Sequence, residues 1–299
     1  MNLTTLWTEV QVYALEQYID YIVFYIAMAY FAIELFVYWL KKRMSMDLIG
    51  DSLTNFVTLG VTLAVNYALA AIFYVAAFYW IYENISLSHL PINLWTIFAC
   101  VVLADVAYYW EHRFLHSVGI GWATHTVHHS SPHFNLSVAY RHGPLDGLFP
   151  FLFHAPLVML GFNPIVVFFC EVMVQLFQTL LHTETIRKFP RPIEAVFNTP
   201  SHHRVHHATN RQYLDKNYAG IFIIWDRMFG TFAEEKEPVR YGVFPRINTN
   251  NPFTVYFKGF QVLGSRLWNA PNWKYRLNLL VKSPTWAWQQ EQVSKRNVA

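Results

Sequence analysis

Four long apolar stretches dominate the order of hydrophobic and polar positions. The first, Tyr18 to Leu40, is interrupted by Asp20 and Glu34 and closes on Lys41-Lys42-Arg43. The second, Leu53 to Tyr82, runs about thirty residues without a charge; at roughly 1.5 Å per residue, such a helix exceeds a hydrocarbon core of about 30 Å. Leu94 to Trp110 is shorter and carries Asp105. Leu148 to Leu181 is apolar again but broken by Gly161-Phe162-Asn163-Pro164, which predicts a helical hairpin whose short arms either cross the membrane or dip into it. The pattern predicts an all-α integral membrane protein with about four transmembrane helices, the last two forming the hairpin. The first fifteen residues lack a basic stretch and contain Glu9, so they do not read as a cleavable leader.

Composition supports a membrane protein. Only 14% of residues are charged, against about 25% in soluble domains. The basic residues Lys41, Lys42 and Arg43 orient the end of the first span toward the cytoplasm. By parity, His112 at the end of the third span and His182 after the hairpin fall on the same side. Beyond Leu181 the chain turns polar, and the short aromatic segment Gly220 to Phe232 reads as an interfacial element. The chain divides into transmembrane helices (1–110), a histidine-bearing catalytic region (111–239, including hairpin 148–181) and a tail (240–299). That tail holds nine Lys and Arg against one acid, Glu291, interleaved with Trp268, Trp273, Trp286 and Trp288. Such a stretch suits the anionic cytoplasmic leaflet, and a nucleic-acid partner is not expected. Cys100 and Cys170 lie in apolar stretches, where they read as inert packing and exclude a disulfide scaffold.

The 14 histidines change the picture most. His112 and His116 are spaced H-x3-H. His125, His128 and His129 form H-x2-H-H, and His203, His206 and His207 repeat that spacing. Residues three and four apart share one face of a helix, so each cluster presents its imidazoles toward a common point. His182 adds a ninth. Imidazoles crowded this closely lose their protons, and neutral imidazole is a good ligand for iron, copper, nickel or zinc but not for calcium or magnesium. Nine nitrogens are too many for one zinc, and fit two ions with four or five each. The third cluster also reads as H-x3-H-H from His202, although His203 repeats the spacing of the second. His133 and His142 flank the second cluster as candidate outer ligands. His89 falls on the opposite side, and His154 reads as a satisfied core residue. No catalytic side chain separate from the metal site is assigned. Asp105 and Glu184, with Glu111, are expected to hydrogen-bond the outer ring nitrogens of the ligands.

These motifs, together with NTPSHHRVHH (Asn198–His207), DKNYAG (Asp215–Gly220) and WDRMFGTF (Trp225–Phe232), resemble the fatty acid hydroxylase/sterol desaturase superfamily of integral-membrane di-iron oxygenases. The likeness is greatest to its sterol-C5-desaturase-like branch, which includes alkylglycerol monooxygenase. The resemblance covers roughly Asp105 to Phe232. It implies a helical membrane anchor beneath a cytosolic helical cap, with two irons held by the nine histidines.

The resemblance further implies hydroxylation or desaturation of a lipid of sterol, fatty acyl or alkylglycerol type, using O2. Zinc can replace iron in a preparation. The sequence shows neither a cytochrome b5 domain nor a Rossmann fingerprint, so electrons are expected from a separate donor: a reduced pterin, or a cytochrome b5- or ferredoxin-type partner. Two other classes are consistent with many histidines. A metal transporter would line a path through the spans, and a zinc-dependent membrane hydrolase would need an open site with a general base.

Overall fold

A computed structural model describes residues 4–296. Thr8 and Gln11 form a reciprocal capping box that opens α1 (Glu9–Leu40). Ser45 caps α2 (Met46–Asn84), and Asn93 caps α3 (Leu94–Ser117). Among the described residues, three segments are long and apolar enough to cross a membrane: α1, the Met46–Val65 part of α2, and α3. Helix α3 does not end at Trp110, where its apolar run stops. It continues to Ser117 and carries His112 and His116 on its last turns. After Val118 the chain turns into α4 (Gly119–His129), which holds the second histidine cluster.

The predicted hairpin consists of α5 (Phe149–Leu160) and α6 (Pro164–Thr179). Gly161 joins them at φ 107°, and a Cβ there would stand 2.2 Å from the Ser88 carbonyl oxygen, so the turn admits only glycine. The arms have 12 and 16 residues, shorter than the roughly 20 needed for a comfortable crossing. They pack against α2 and α3 in the main apolar core, around Phe78, Ala104, Val158 and Val167. Cys100 and Cys170 are buried there as free thiols.

The remaining helices are short. They are α7 (Arg191–Val196), α8 (Pro200–His206) with the third histidine cluster, and α9 (Ile224–Met228). The segment Gly220–Phe232 divides between two environments: Ile223 and Asp226 are buried, whereas Met228 and Phe229 are exposed. The basic tail folds as α10 (Pro252–Trp268), α11 (Trp273–Val281) and α12 (Pro284–Arg296). It is no loose appendage. Gly259 of α10 sits directly on α4, where a Cβ would meet the Ala123 carbonyl oxygen at 1.9 Å. Leu263, Ala270, Leu279 and Ala287 complete that contact. Trp286 packs beside it, while Trp268, Trp273 and Trp288 stay exposed. Among the described residues there is no strand, only an isolated bridge between Phe197 and Phe222.

Candidate metal centre

The three histidine clusters and His182 meet at the end of the bundle where α1 ends, α2 begins and α3 terminates. Two groups form. His112, His116, His125, His129 and His206 make one; His128, His182, His203 and His207 make the other. Within each group the candidate ligand atoms lie within 4.8 Å of one another. A nitrogen binds a divalent ion at roughly 2.1 Å, so ligands of one ion stand up to about 4.2 Å apart. Small side-chain adjustments close the difference.

Backbone carbonyls set the direction of the rings. His112 Nδ1 donates to the Tyr218 carbonyl (3.0 Å), His128 Nδ1 to that of Arg141 (3.2 Å), His182 Nδ1 to that of Gln178 (2.9 Å) and His206 Nδ1 to that of Lys216 (3.1 Å). Each such bond fixes the tautomer that leaves Nε2 bearing a lone pair toward the interior. His128 and His182 then bring two lone pairs to 3.3 Å. Similar ring-nitrogen contacts join His112 to His125 (3.1 Å), His116 to His129 (3.1 Å) and His203 to His182 (2.9 Å). The facing lone pairs of His128 and His182 repel at this distance unless a cation stands between them. His206 Nε2 and His207 Nε2 are buried without a partner. The donor set therefore fits two metal ions.

Protonation is suppressed throughout. Burial, reinforced by neighbouring imidazoles, holds His125, His128, His129, His203 and His207 well below the usual imidazole range. Burial lowers His182 to about 3 and His206 to about 4, against the opposing effect of their carbonyl partners. All nine rings are available as neutral donors. Phe134 covers the second group, its ring centroid 5.0 Å from that of His207, and Trp122 lies 5.2 Å from His116.

The alternatives raised by sequence fall elsewhere. Adjacent residues on a helix diverge by about 100°, so His202 points away from His203; its Nε2 meets Glu194 at 3.0 Å. His133 pairs with Asp47 at 2.9 Å, and His142 lies 3.7 Å from Asp146. None of the three joins either group. His89 bonds the Tyr82 carbonyl and His154 that of Pro150.

The acids do not bond the ligand rings as expected. Asp105 accepts the backbone N–H groups of Ile221 (2.6 Å) and Phe222 (2.9 Å) and the Trp225 indole N–H (2.8 Å). Its carboxylate pins the segment that presents the Tyr218 carbonyl to His112. Asp226 braces the same segment through the N–H groups of Tyr218 and Ala219. Glu184 is exposed and lines a surface cavity. Glu111 is buried with its Oε2 3.9 Å from His154. Four of the rings turn to main-chain carbonyls instead, which leave no trace in residue type, and His116 Nδ1 lies 3.9 Å from the carboxylate of Asp215.

Arg141 was not singled out by sequence. It is buried beneath α4, with Nη1 bonded to Asp51 (2.7 Å) and Asn55 (2.7 Å) of α2, and Nε bonded to the Val127 carbonyl (3.0 Å) and Ser130 (2.9 Å). Its own carbonyl accepts from His128. An arginine in an otherwise apolar and histidine-rich region was the only available signal.

Comparison with known proteins agrees with this geometry. Residues 97–231 match the fatty acid hydroxylase family. The chain is 37% identical to alkylglycerol monooxygenase of Homo sapiens over 260 residues, which is 85% of this chain and 57% of that protein. It is 41% identical to the Xenopus tropicalis alkylglycerol monooxygenase over 214 residues, 71% of this chain and 47% of that one. The ornithine lipid hydroxylase of Rhizobium tropici is 32% identical over 139 residues, 46% of this chain and 42% of its own length. The chain spans about half the length of the curated relatives it matches. No solved structure matches it. The match runs from α3 through Thr231 and takes in all three histidine clusters, so residues 97–231 form a fatty acid hydroxylase domain.

Proposed function

We propose that this chain is a membrane-embedded di-iron oxygenase that hydroxylates or desaturates an unactivated C–H bond of a sterol, fatty acyl or alkylglycerol lipid. The observation that carries this reading is the division of nine buried histidines into groups of five and four, with the lone pairs of His128 and His182 facing one another. His112, His116, His125, His129 and His206 would hold one iron, and His128, His182, His203 and His207 the other. When bound, the two irons supply the reductive activation of O2 that oxidation of such a bond requires. Hydroxylation consumes one O2, two electrons and two protons and yields the alcohol and one water; desaturation yields the alkene and two waters. A separate donor supplies the electrons, either a reduced pterin or a cytochrome b5- or ferredoxin-type protein.

The chain's own residues organise this chemistry. The carbonyls of Tyr218, Arg141, Gln178 and Lys216 hold the imidazoles in the ligating tautomer. Phe134 and Trp122 restrict water at the two groups. The site lies at the bundle end marked by Lys41-Lys42-Arg43, which supports a cytoplasmic location. A transporter would need ligands along the spans, whereas these cluster at one end. A single-zinc hydrolase would leave five of the nine nitrogens unused.

Lipid mass spectrometry of cells with and without the protein tests the reading. It expects a lipid gaining one oxygen or losing two hydrogens, dependent on O2 and abolished by His116→Ala. An unchanged lipid profile despite iron-loaded, folded protein would sink it.

A further inference from the structure

A cavity of 460 Å³ opens beside the four-histidine group, within the size range of small-molecule sites. Its floor is aromatic: Phe134 stacks on Tyr241 with centroids 4.8 Å apart, and the other side of Phe134 meets His182 and His207. Arg43, at the end of α1, and Arg240 and Arg246, six residues apart near the start of the tail, line it. Among the described residues, the ion pairs of arginine belong to Arg141, Arg204 and Arg266, so these three guanidinium groups carry no carboxylate partner. Glu184 is the one acid in the wall.

Charge and position together select the ligand. Three guanidinium groups lining one cavity suit the oxygens of a phosphate, which guanidinium binds through paired N–H donors. Arg43 stands where α1 leaves its apolar span, three residues after Leu40, which is exposed together with Trp39. Phe244 and Met46 are exposed nearby in the chain, at 76% and 81%. The cavity therefore sits at the depth of lipid headgroups, with apolar side chains available to the acyl region.

We infer that this cavity is a binding site for the phosphodiester headgroup of an anionic membrane lipid. It holds the headgroup against the Phe134–Tyr241 stack, one ring away from the second histidine group. This deepens the lipid-oxygenase reading by giving the substrate, or a lipid bound beside it, an anchoring charge. The three arginines touch no histidine of the metal groups.

Native mass spectrometry of the full chain in neutral detergent tests this without iron, O2 or turnover. The probes are dioleoylphosphatidylglycerol and dioleoylglycerol, which share chains and differ in the phosphate. Retention of the phospholipid is expected to exceed that of the diacylglycerol at least tenfold. The Arg43→Gln, Arg240→Gln, Arg246→Gln variant should remove that preference, while Lys274→Gln with Lys282→Gln, distant basic residues in α11 and just beyond it, should keep it. Equal retention of both probes, or a preference that survives the triple arginine variant, overturns the proposal. So does glycerol 3-phosphate competing as strongly as the lipid, which would mark a site for a soluble phosphoester. A purified acidic electron-carrier protein displaced by the arginine changes, with lipid retention unaltered, overturns it in favour of protein docking. Because binding alone is read, loss of the oxygenase reading would leave this result intact.

Discussion

Arg141 and Asp51 lie 90 positions apart in the chain, yet their side chains meet at 2.7 Å, and each is only 1% exposed. The pair joins the start of α2 to the loop that follows α4. Breaking such a buried pair costs about 3–5 kcal/mol, whereas replacing both partners by apolar groups costs much less. Asp51→Leu is therefore expected to destabilise the protein by about that amount, and adding Arg141→Met should recover part of it. Denaturant titration of the detergent-solubilised protein reads both. Additive losses would show that the pair acts independently of its geometry.

The third histidine cluster gives a sharper comparison. His203→Ala is expected to lose one of two bound metals, because His203 Nε2 lies 2.9 Å from His182 Nε2 in the second group. His202→Ala should keep both metals, since its ring pairs with Glu194. Elemental analysis of the two purified variants distinguishes them, and the reverse outcome would move the ligand to His202.

Acid sensitivity follows from the neutral imidazoles. His206 and His182 are held at about 4 and about 3 in the fold, below the 6.5 of an unperturbed histidine. Between those values the unfolded chain binds more protons than the native one, so stability falls as pH falls. The contribution is fully present above about 6.5 and declines by up to about 1.4 kcal/mol per pH unit for each such histidine below it. Metal-free protein titrated with denaturant should show a flat midpoint from pH 8 to 7 and a steep fall from 6 to 4.5. A midpoint independent of pH across that range would contradict the burial of these rings in the neutral form.

Asp105 anchors main chain instead of an imidazole. Asp105→Leu leaves two backbone N–H groups and one indole N–H without their acceptor, each worth about 1–3 kcal/mol. The segment carrying the Tyr218 carbonyl loosens with it, so metal affinity should weaken along with stability. Asp105→Asn keeps one acceptor oxygen and should fall between. A variant stable as wild type, with unchanged metal content, would remove Asp105 from the support of the site.

What the sequence revealed and what it hid follow from the range of the interactions. The histidine spacings are readable because α3, α4 and α8 are helices: the pairs four apart, His112/His116, His125/His129 and His203/His207, each share one group, whereas His128 and His206, three from His125 and His203, turn to the other group instead of a common point. The spans were readable because lipid demands long apolar runs. Arg141, Asp51 and Asn55 obey no local period, and their contacts join positions too distant for any spacing rule. Asp105 was noticed as a costly acid in a span, but its partners are backbone amides, which every residue type carries. The charge and tryptophans of the basic tail are visible in its composition. Its fold against α4 rests on Gly259 and small apolar residues that a charge count passes over.

The central claim is that two irons occupy the nine-histidine site. Titrating the purified, metal-free, full chain with ferrous ion under anaerobic conditions measures it most directly. The account predicts saturation at two equivalents per chain. Saturation at one equivalent, or uptake that remains complete when His116→Ala and His203→Ala are combined, would contradict it.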